Sequence, residues 1–331
     1  MAGILAFVEQ RSGRLRPAWT QSMVADARRL AARVGGELTL AVIGHELAAV
    51  AKAVAEHGPD RVVVAEHADL AAYDPVAYAD LLAAIAGRFE PRAILMTASA
   101  MGRDLAPRLA ARLDAGVVAD CVALDLESDG RLRATRPVYA GRFWATVVAH
   151  GHGIQVATLR PNRPSTAPAG GPAAAPRIEP WPVAPAAGRP VARVHATLPT
   201  QVTRPDLAEA TIVVAGGRGL GGAEHFGLIE ALADSLGAAV GASRAVVDAG
   251  WRPHAEQVGL TGRTVTPALY IACGISGAAQ HQAGMSAARH IVAINNNPQA
   301  PIFSICTVGI VGDVHVILPL LIERLKRAST P

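Results

Sequence analysis

Residues 269–281 read Leu269-Tyr270-Ile271-Ala272-Cys273-Gly274-Ile275-Ser276-Gly277-Ala278-Ala279-Gln280-His281. An apolar run gives way to a glycine-bounded turn and then to residues suited to a helix. That order fits a buried strand whose turn opens a helix. In an open parallel sheet, ligands sit outside the carboxyl ends of the strands. Glycine there lets backbone amides approach a phosphate closely. A helix N-terminus adds unpaired N–H groups and partial positive charge. Gly274-Ile275-Ser276-Gly277 suits that role, with Ser276 as a cap or a phosphate donor.

One such turn is weak evidence, because glycine turns also serve packing. Four further glycine-containing turns follow apolar runs in the same region: Ile212 to Leu220 through Gly216-Gly217-Arg218-Gly219, Gly237 to Arg244, Gln257 to Arg263, and Gly309-Ile310-Val311-Gly312-Asp313. Their density makes a dinucleotide site the better reading.

The first half alternates short apolar runs with helical patterns. Ile4–Val8, Leu38–Ile43, Val62–Ala65 and Ala93–Met96 are expected strands. Trp19–Val34, Tyr78–Phe89 and Arg103–Leu113 are expected helices, the last opening after Thr97-Ala98-Ser99. Strands alternating with helices imply βαβ units and a parallel sheet. The fold class is therefore α/β, with two domains, each a parallel-sheet Rossmann-like layer. From residue 160 to 190, Pro, Ala and Gly dominate and no period survives, which reads as a loop or semi-rigid connector. Val191–Leu198 alternates again and could return a strand to the first domain. The expected domains are 1–200, including that connector, and 201–331.

Composition narrows the function classes. Hydrophobic residues make up 51% of the 331, enough for a substantial core, and aromatics only 4%, so that core is mainly Ala, Val, Leu and Ile. The net charge is +4, but the cations are scattered and not interleaved with rings, which disfavours a nucleic-acid surface. Cys121, Cys273 and Cys306 form no C-x-x-C pair, so metal, cluster and disulfide frameworks are not expected. The N-terminus reads directly as a strand, without a signal peptide. Asp313, His315 and Pro319 interrupt the most apolar stretch, 302–322, and no membrane insertion is expected. A reduced, cytoplasmic, soluble protein is the expectation.

The run Pro267-x-Leu269-Tyr270-Ile271-Ala272-x-Gly274-Ile275-Ser276-Gly277-Ala278-x-Gln280-His281-x-x-Gly284-Met285 resembles the signature of electron-transfer flavoprotein alpha subunits. So do Gly216 to Leu220, Ala242-Ser243-Arg244, Ala293-Ile294-Asn295, Ala300 to Phe303 and Gly309 to Asp313, in order and spacing. In the first half, Arg103 to Ala110 and Arg136 to Gly141 are similar too.

The resemblance implies one FAD in the second domain and a smaller beta subunit packed against the first. Arg218 matches an arginine near the FAD phosphates; its alternative reading is a solvated loop arginine. Ser243 and Arg244 match a pair beside the flavin, where a guanidinium favours negative charge developing on reduction. Gln257, Val258, Gly259, Leu260 and Thr261 match a segment against the isoalloxazine, with the Thr261 hydroxyl near its redox-active nitrogen. Gly274, Ser276, Gly277, Ala278, Ala279, Gln280 and His281 match the loop and helix start that meet flavin and pyrophosphate. An imidazolium at His281 would stabilise the anionic one-electron state. Asn295 and Asp313 match contacts to the adenosine half, although Asp313 also reads as a plain helix cap. AMP or a second flavin in the beta chain is possible in this family.

The sequence departs from the family pattern at Asn296-Asn297-Pro298-Gln299, which lacks the usual charges, at Cys306-Thr307-Val308, and at Arg142-Phe143-Trp144. These changes point to a specialised member with altered partner choice. The implied function is an electron carrier, fed by a flavoprotein dehydrogenase and emptied by a quinone oxidoreductase or similar acceptor. The sequence shows no nucleophile–base constellation and no metal-ligand spacing, so no catalytic or metal residue is assigned. A flavin- or NAD-dependent enzyme on the same domain type, a nucleotide-sensing module and an electron-bifurcating carrier are the alternatives.

Overall fold

The computed structural model describes residues 2–139, 141, 143–151, 153–161, 175–184, 194, 196 and 204–328. The chain divides into two compact units, Met1–Pro137 with Trp144–Leu198, and Val138–Phe143 with Pro199–Pro331.

The first unit is built on a seven-stranded sheet. Its strand order is Arg177–Trp181, Arg61–Glu66, Leu38–Gly44, Ile4–Phe7, Ala93–Thr97, Gln155–Leu159, Gly116–Cys121, and every pairing is parallel. The central strands are buried on both faces, which explains their unbroken Val, Ile, Leu and Ala runs. Two apolar cores result, one on each face of the sheet. The helices start where local chemistry dictates. Asp74 Oδ1 accepts from the Val76 and Ala77 amides, both at 2.9 Å, and Pro75 opens helix Pro75–Phe89. Ser99 Oγ accepts from the Gly102 amide at 3.0 Å and caps helix Ala100–Arg112.

The expected strands and helices of this unit form, with ends displaced by a few residues. Helix Ala48–Ala55 and the three-stranded sheet of Ala123–Leu126, Leu132–Val138 and Phe143–Val148 were not anticipated. The connector reading needs correction. Within 160–190, Arg177–Trp181 is a strand on the edge of the large sheet, where Pro180 can sit because an edge tolerates a missing donor. The expected strand Val191–Leu198 lies outside the described residues, except for Val194 and Ala196, which are in no strand.

The second unit carries a five-stranded parallel sheet in the order Ala239–Ala242, Ile212–Gly216, Leu269–Cys273, His290–Asn295, Val308–Val311. Helices Phe226–Leu236 and Val314–Ala328 pack together on one face over Val214, Val240, Ile271 and Ile294. The other face is closed by Tyr270, Val258, Met285 and Ile302. Strand order reverses at Ile212–Gly216, so the loops after it and after Leu269–Cys273 flank the position where such sheets bind ligands.

Candidate FAD site

The five turns read from the sequence stand at the carboxyl ends of these five strands or beside them. Glycines let the turns interlock. Gly274 takes φ +63°, and its carbonyl accepts from the Gly219 amide at 3.0 Å. A Cβ at Gly217 or Gly219 would overlap the Gly274 backbone. Gly277, at φ +80°, similarly lies against the Ile302 backbone. These glycines allow the close crossing of one loop over another.

The segment 257–263 is pinned on both sides. The Val258 amide donates to the Ala242 carbonyl at 2.9 Å, extending the sheet edge. The Leu260 amide donates to Gln280 at 2.7 Å, and the Val265 amide to Gly284 at 2.8 Å, fastening the loop to helix Ala279–Met285. Arg252 grips Glu256 through two hydrogen bonds of 2.7 and 2.8 Å and reaches Glu230 at 2.8 Å.

Between these loops lies a cleft of about 520 Å³. Arg218, Ser243, Arg244, Gln257, Val258, Gly259, Leu260, Thr261, Gly274, Ser276, Gly277, Ala278, Gln280, His281 and Asn295 all line it. Of the residues named from the sequence, only Ala279 and Asp313 are not on its wall. Ala279 is the first residue of its helix. Asp313 Oδ1 accepts from the His315 amide at 2.8 Å, and its carbonyl accepts from Val316 and Ile317, so it closes the first turn of helix Val314–Ala328. Gly219 and Ile275, from two of the glycine turns, also line the cleft, as do Ala245 and Asp248, which the sequence reading did not include. Asp248 was within reach of sequence reasoning, four residues after Arg244 on one helix face. Its carboxylate accepts from Arg244 Nε at 3.3 Å.

The polar groups are arranged for an anionic, partly aromatic ligand. Arg218 is exposed and forms no ion pair among the described residues. Ser243 precedes helix Arg244–Asp248 without spending its hydroxyl on the cap. Ser276 is exposed, and the expectation that it caps the following helix is overturned: Ala278 occupies the cap position. The helix therefore starts with no side chain on its leading amides, the state that favours an anion there. Leu260 is 66% exposed, an apolar surface at the cleft wall. Asn295 is buried and committed: Nδ2 donates to the Ile275 carbonyl and Oδ1 accepts from the Asn297 amide, both at 2.9 Å.

His281 is the buried titratable group of the cleft wall. It is 7% exposed, and burial lowers its pKa to about 4, while the Val258 backbone favours the charged ring more weakly. In the chain by itself, burial therefore favours the neutral imidazole. Its Nε2 lies 3.0 Å from the Tyr270 hydroxyl. Its Nδ1 is buried with no hydrogen-bond partner. A buried orphan of this kind on a cleft wall fits a group completed by a ligand.

A parallel sheet, interlocked loops and a cation-bearing cleft at its strand ends define a dinucleotide-binding protein of the Rossmann-like class. Comparison with known proteins takes this further. Residues 4–186 match the electron transfer flavoprotein domain, and residues 206–286 match the electron transfer flavoprotein FAD-binding domain. The chain is 41% identical over 330 residues to the electron transfer flavoprotein subunit alpha of Thermoanaerobacterium thermosaccharolyticum, covering 98% of each chain. It is 41% identical over 325 residues to Protein FixB of Clostridium saccharobutylicum, covering 98% of this chain and 96% of that one. The Bacillus subtilis subunit alpha is 38% identical over 331 residues, with 98% of each covered. The chain belongs to the electron-transfer flavoprotein alpha-subunit family. It is a component of an electron carrier, with an FAD-binding domain, and not a substrate-transforming enzyme. Among the described residues, no helix is long and apolar enough to cross a membrane, and no cluster of His, Cys, Asp and Glu could hold a metal ion.

Proposed function

We propose that the cleft of the second unit holds one FAD per chain and that the residues named above are its contacts. The observation that carries this reading is convergence: residues from separate turns across four of the five strands meet on one cleft wall. Bound there, FAD supplies an electron store that is filled in pairs and emptied singly. Arg218, Ser276 and the leading amides of helix Ala279–Met285 bind the diphosphate. The 257–261 segment orients the ring system, with Leu260 excluding water from one face. Thr261 and His281 offer hydrogen-bond donors to it, and Arg244 supplies the positive charge. Asn295 acts through the backbone it fastens. Asp313, whose carboxylate closes a helix, reaches the adenosine half only from outside the cleft wall.

We also propose domains at 1–200 and 201–331, and a beta subunit paired with this chain in a heterodimer. That subunit carries AMP or a second flavin. A flavoprotein dehydrogenase is the donor and a quinone oxidoreductase or similar acceptor the outlet, in the cytoplasm. The chain's relatives are named as alpha subunits, which supports the pairing. The test is to co-express the chain with a neighbouring beta-type gene, purify the product, denature it and identify the released nucleotides. One FAD per alpha chain in a one-to-one complex is expected. A chain that never takes up FAD, alone or paired, overturns the reading.

A further inference from the structure

His281 is held by a residue that is not itself on the cleft wall. Tyr270, in strand Leu269–Cys273, is fully buried among Val258, Met285 and Ile302. Its hydroxyl has one hydrogen-bond partner among the described residues, His281 Nε2 at 3.0 Å. We propose that Tyr270 is a positioning residue: its hydroxyl donates to Nε2 and fixes His281 as the Nδ1–H tautomer, so that the imidazole offers a neutral donor at Nδ1 to the cleft's ligand.

The proton inventory supports this direction. A phenol carries one donor, and a neutral imidazole one donor and one acceptor. If Nε2–H donated to Tyr270, the phenolic proton would be stranded in the core and Nδ1 would be a bare lone pair. If the phenol donates, its proton is used, and the one group left over is the Nδ1–H. An unpaired buried donor is costly, and the alternative leaves two groups unpaired. Burial holds the Tyr270 phenol well above its ordinary pKa, so the donor is always present. The Val258 backbone favours the charged ring without making a well-formed hydrogen bond to Nδ1.

The inference rests on the FAD reading only for the identity of the ligand, and the experiment separates the two. The full-length chain is labelled with ¹⁵N-histidine, freed of nucleotide, and its His281 resonances are assigned with His281→Gln. The expected spectrum shows protonated Nδ1 and unprotonated Nε2 near neutral pH. Tyr270→Phe, which removes one oxygen and keeps the ring, is expected to fold and to lose that single tautomer in favour of a mixture. Added FAD is expected to shift the Nδ1 resonance of the wild type. A wild-type Nε2–H tautomer overturns the proposal without recourse to any variant. So does a Tyr270→Phe spectrum with unchanged tautomer. FAD that binds without moving Nδ1 overturns the donor role. If FAD does not bind at all, the functional reading fails, while the tautomer, measured without FAD, still decides the role of Tyr270.

Discussion

The Gln257 amide donates from Nε2 to the Thr261 hydroxyl oxygen at 3.0 Å, across the base of the loop that lines the cleft. Gln257 is 3% exposed and Thr261 is exposed, so a buried side chain aims an accessible one. Because Thr261 accepts from Gln257, its own proton is left for the ligand. We predict that Thr261→Val and Gln257→Leu each weaken FAD binding, by about 0.5–1.5 kcal/mol for one ordinary hydrogen bond. Their effects should not add, since both act through the orientation and presence of the one Thr261 hydroxyl. A double-mutant cycle on FAD affinity measures the coupling. Strict additivity would show that Gln257 does not orient Thr261.

Buried His281 gives the chain a characteristic acid sensitivity. Its pKa falls from 6.5 to about 4 on folding, so the unfolded chain binds the extra proton between those values. Stability from this residue is therefore complete above about pH 6.5 and is lost as pH falls toward 4. The shift is worth on the order of 3 kcal/mol, at about 1.4 kcal/mol per pH unit. His281→Gln is expected to flatten the difference in urea stability between pH 7 and pH 4.5, whatever its constant offset. An unchanged pH slope in the nucleotide-free chain would mean that His281 is not held neutral.

Arg244 is the cation expected beside the flavin, but it is 63% exposed and shared with Asp248. Its influence is screened, so Arg244→Ala should lower the first reduction potential of the bound FAD by less than ~1 kcal/mol equivalent. Asp248→Asn should shift it the opposite way, because it frees the guanidinium. Both shifts should shrink with added salt. Spectroelectrochemistry at two ionic strengths checks sign and salt dependence together.

The Asn295–Gln299 run departs from the family in charge, and its geometry shows what that charge could affect. Asn297 Oδ1 accepts from the Gln299 amide at 2.9 Å, a bond that an aspartate would keep. Asn296 and Asn297 are exposed, and only Asn295 lines the cleft. Asn296→Lys with Asn297→Asp should leave FAD affinity within about threefold, less than ~1 kcal/mol. Asn295→Ala should cost far more, since it releases the loops at Ile275 and Asn297 together. Calorimetric titration of the two variants distinguishes the cases. An equal loss in both would place the whole run in the site.

Legibility tracked how local each signal was. Ile4–Phe7 and Leu38–Gly44 announced themselves because both faces are buried and the apolar run is unbroken. Leu132–Val138 was missed although Leu132 and Ala134 are buried around exposed Arg133, a period-two pattern lost among its arginines. Arg177–Trp181 was hidden by proline and by its edge position. At the site, the turns were visible because glycine is conspicuous, but their contacts with one another were not. Whether a glycine faces a phosphate or another loop depends on a neighbour distant in sequence, as Gly219 is from Gly274. The Tyr270–His281 bond was invisible for a related reason. A strand residue and a helix residue meet only once both elements are packed, and that packing sets the protonation of His281.

The edge strand Arg177–Trp181 also constrains the order of assembly during synthesis. Val62 pairs with Ile178, a residue that leaves the ribosome only after every other strand of the first sheet has emerged. Until then Arg61–Glu66 is an open parallel edge of β-branched residues, able to recruit a neighbouring nascent chain. Arg61 and its contact with Glu37 place charge along that edge, which discourages wrong pairings while it waits. The first unit's sheet is thus completed only after Trp181 is made, just before the FAD-binding domain begins to appear.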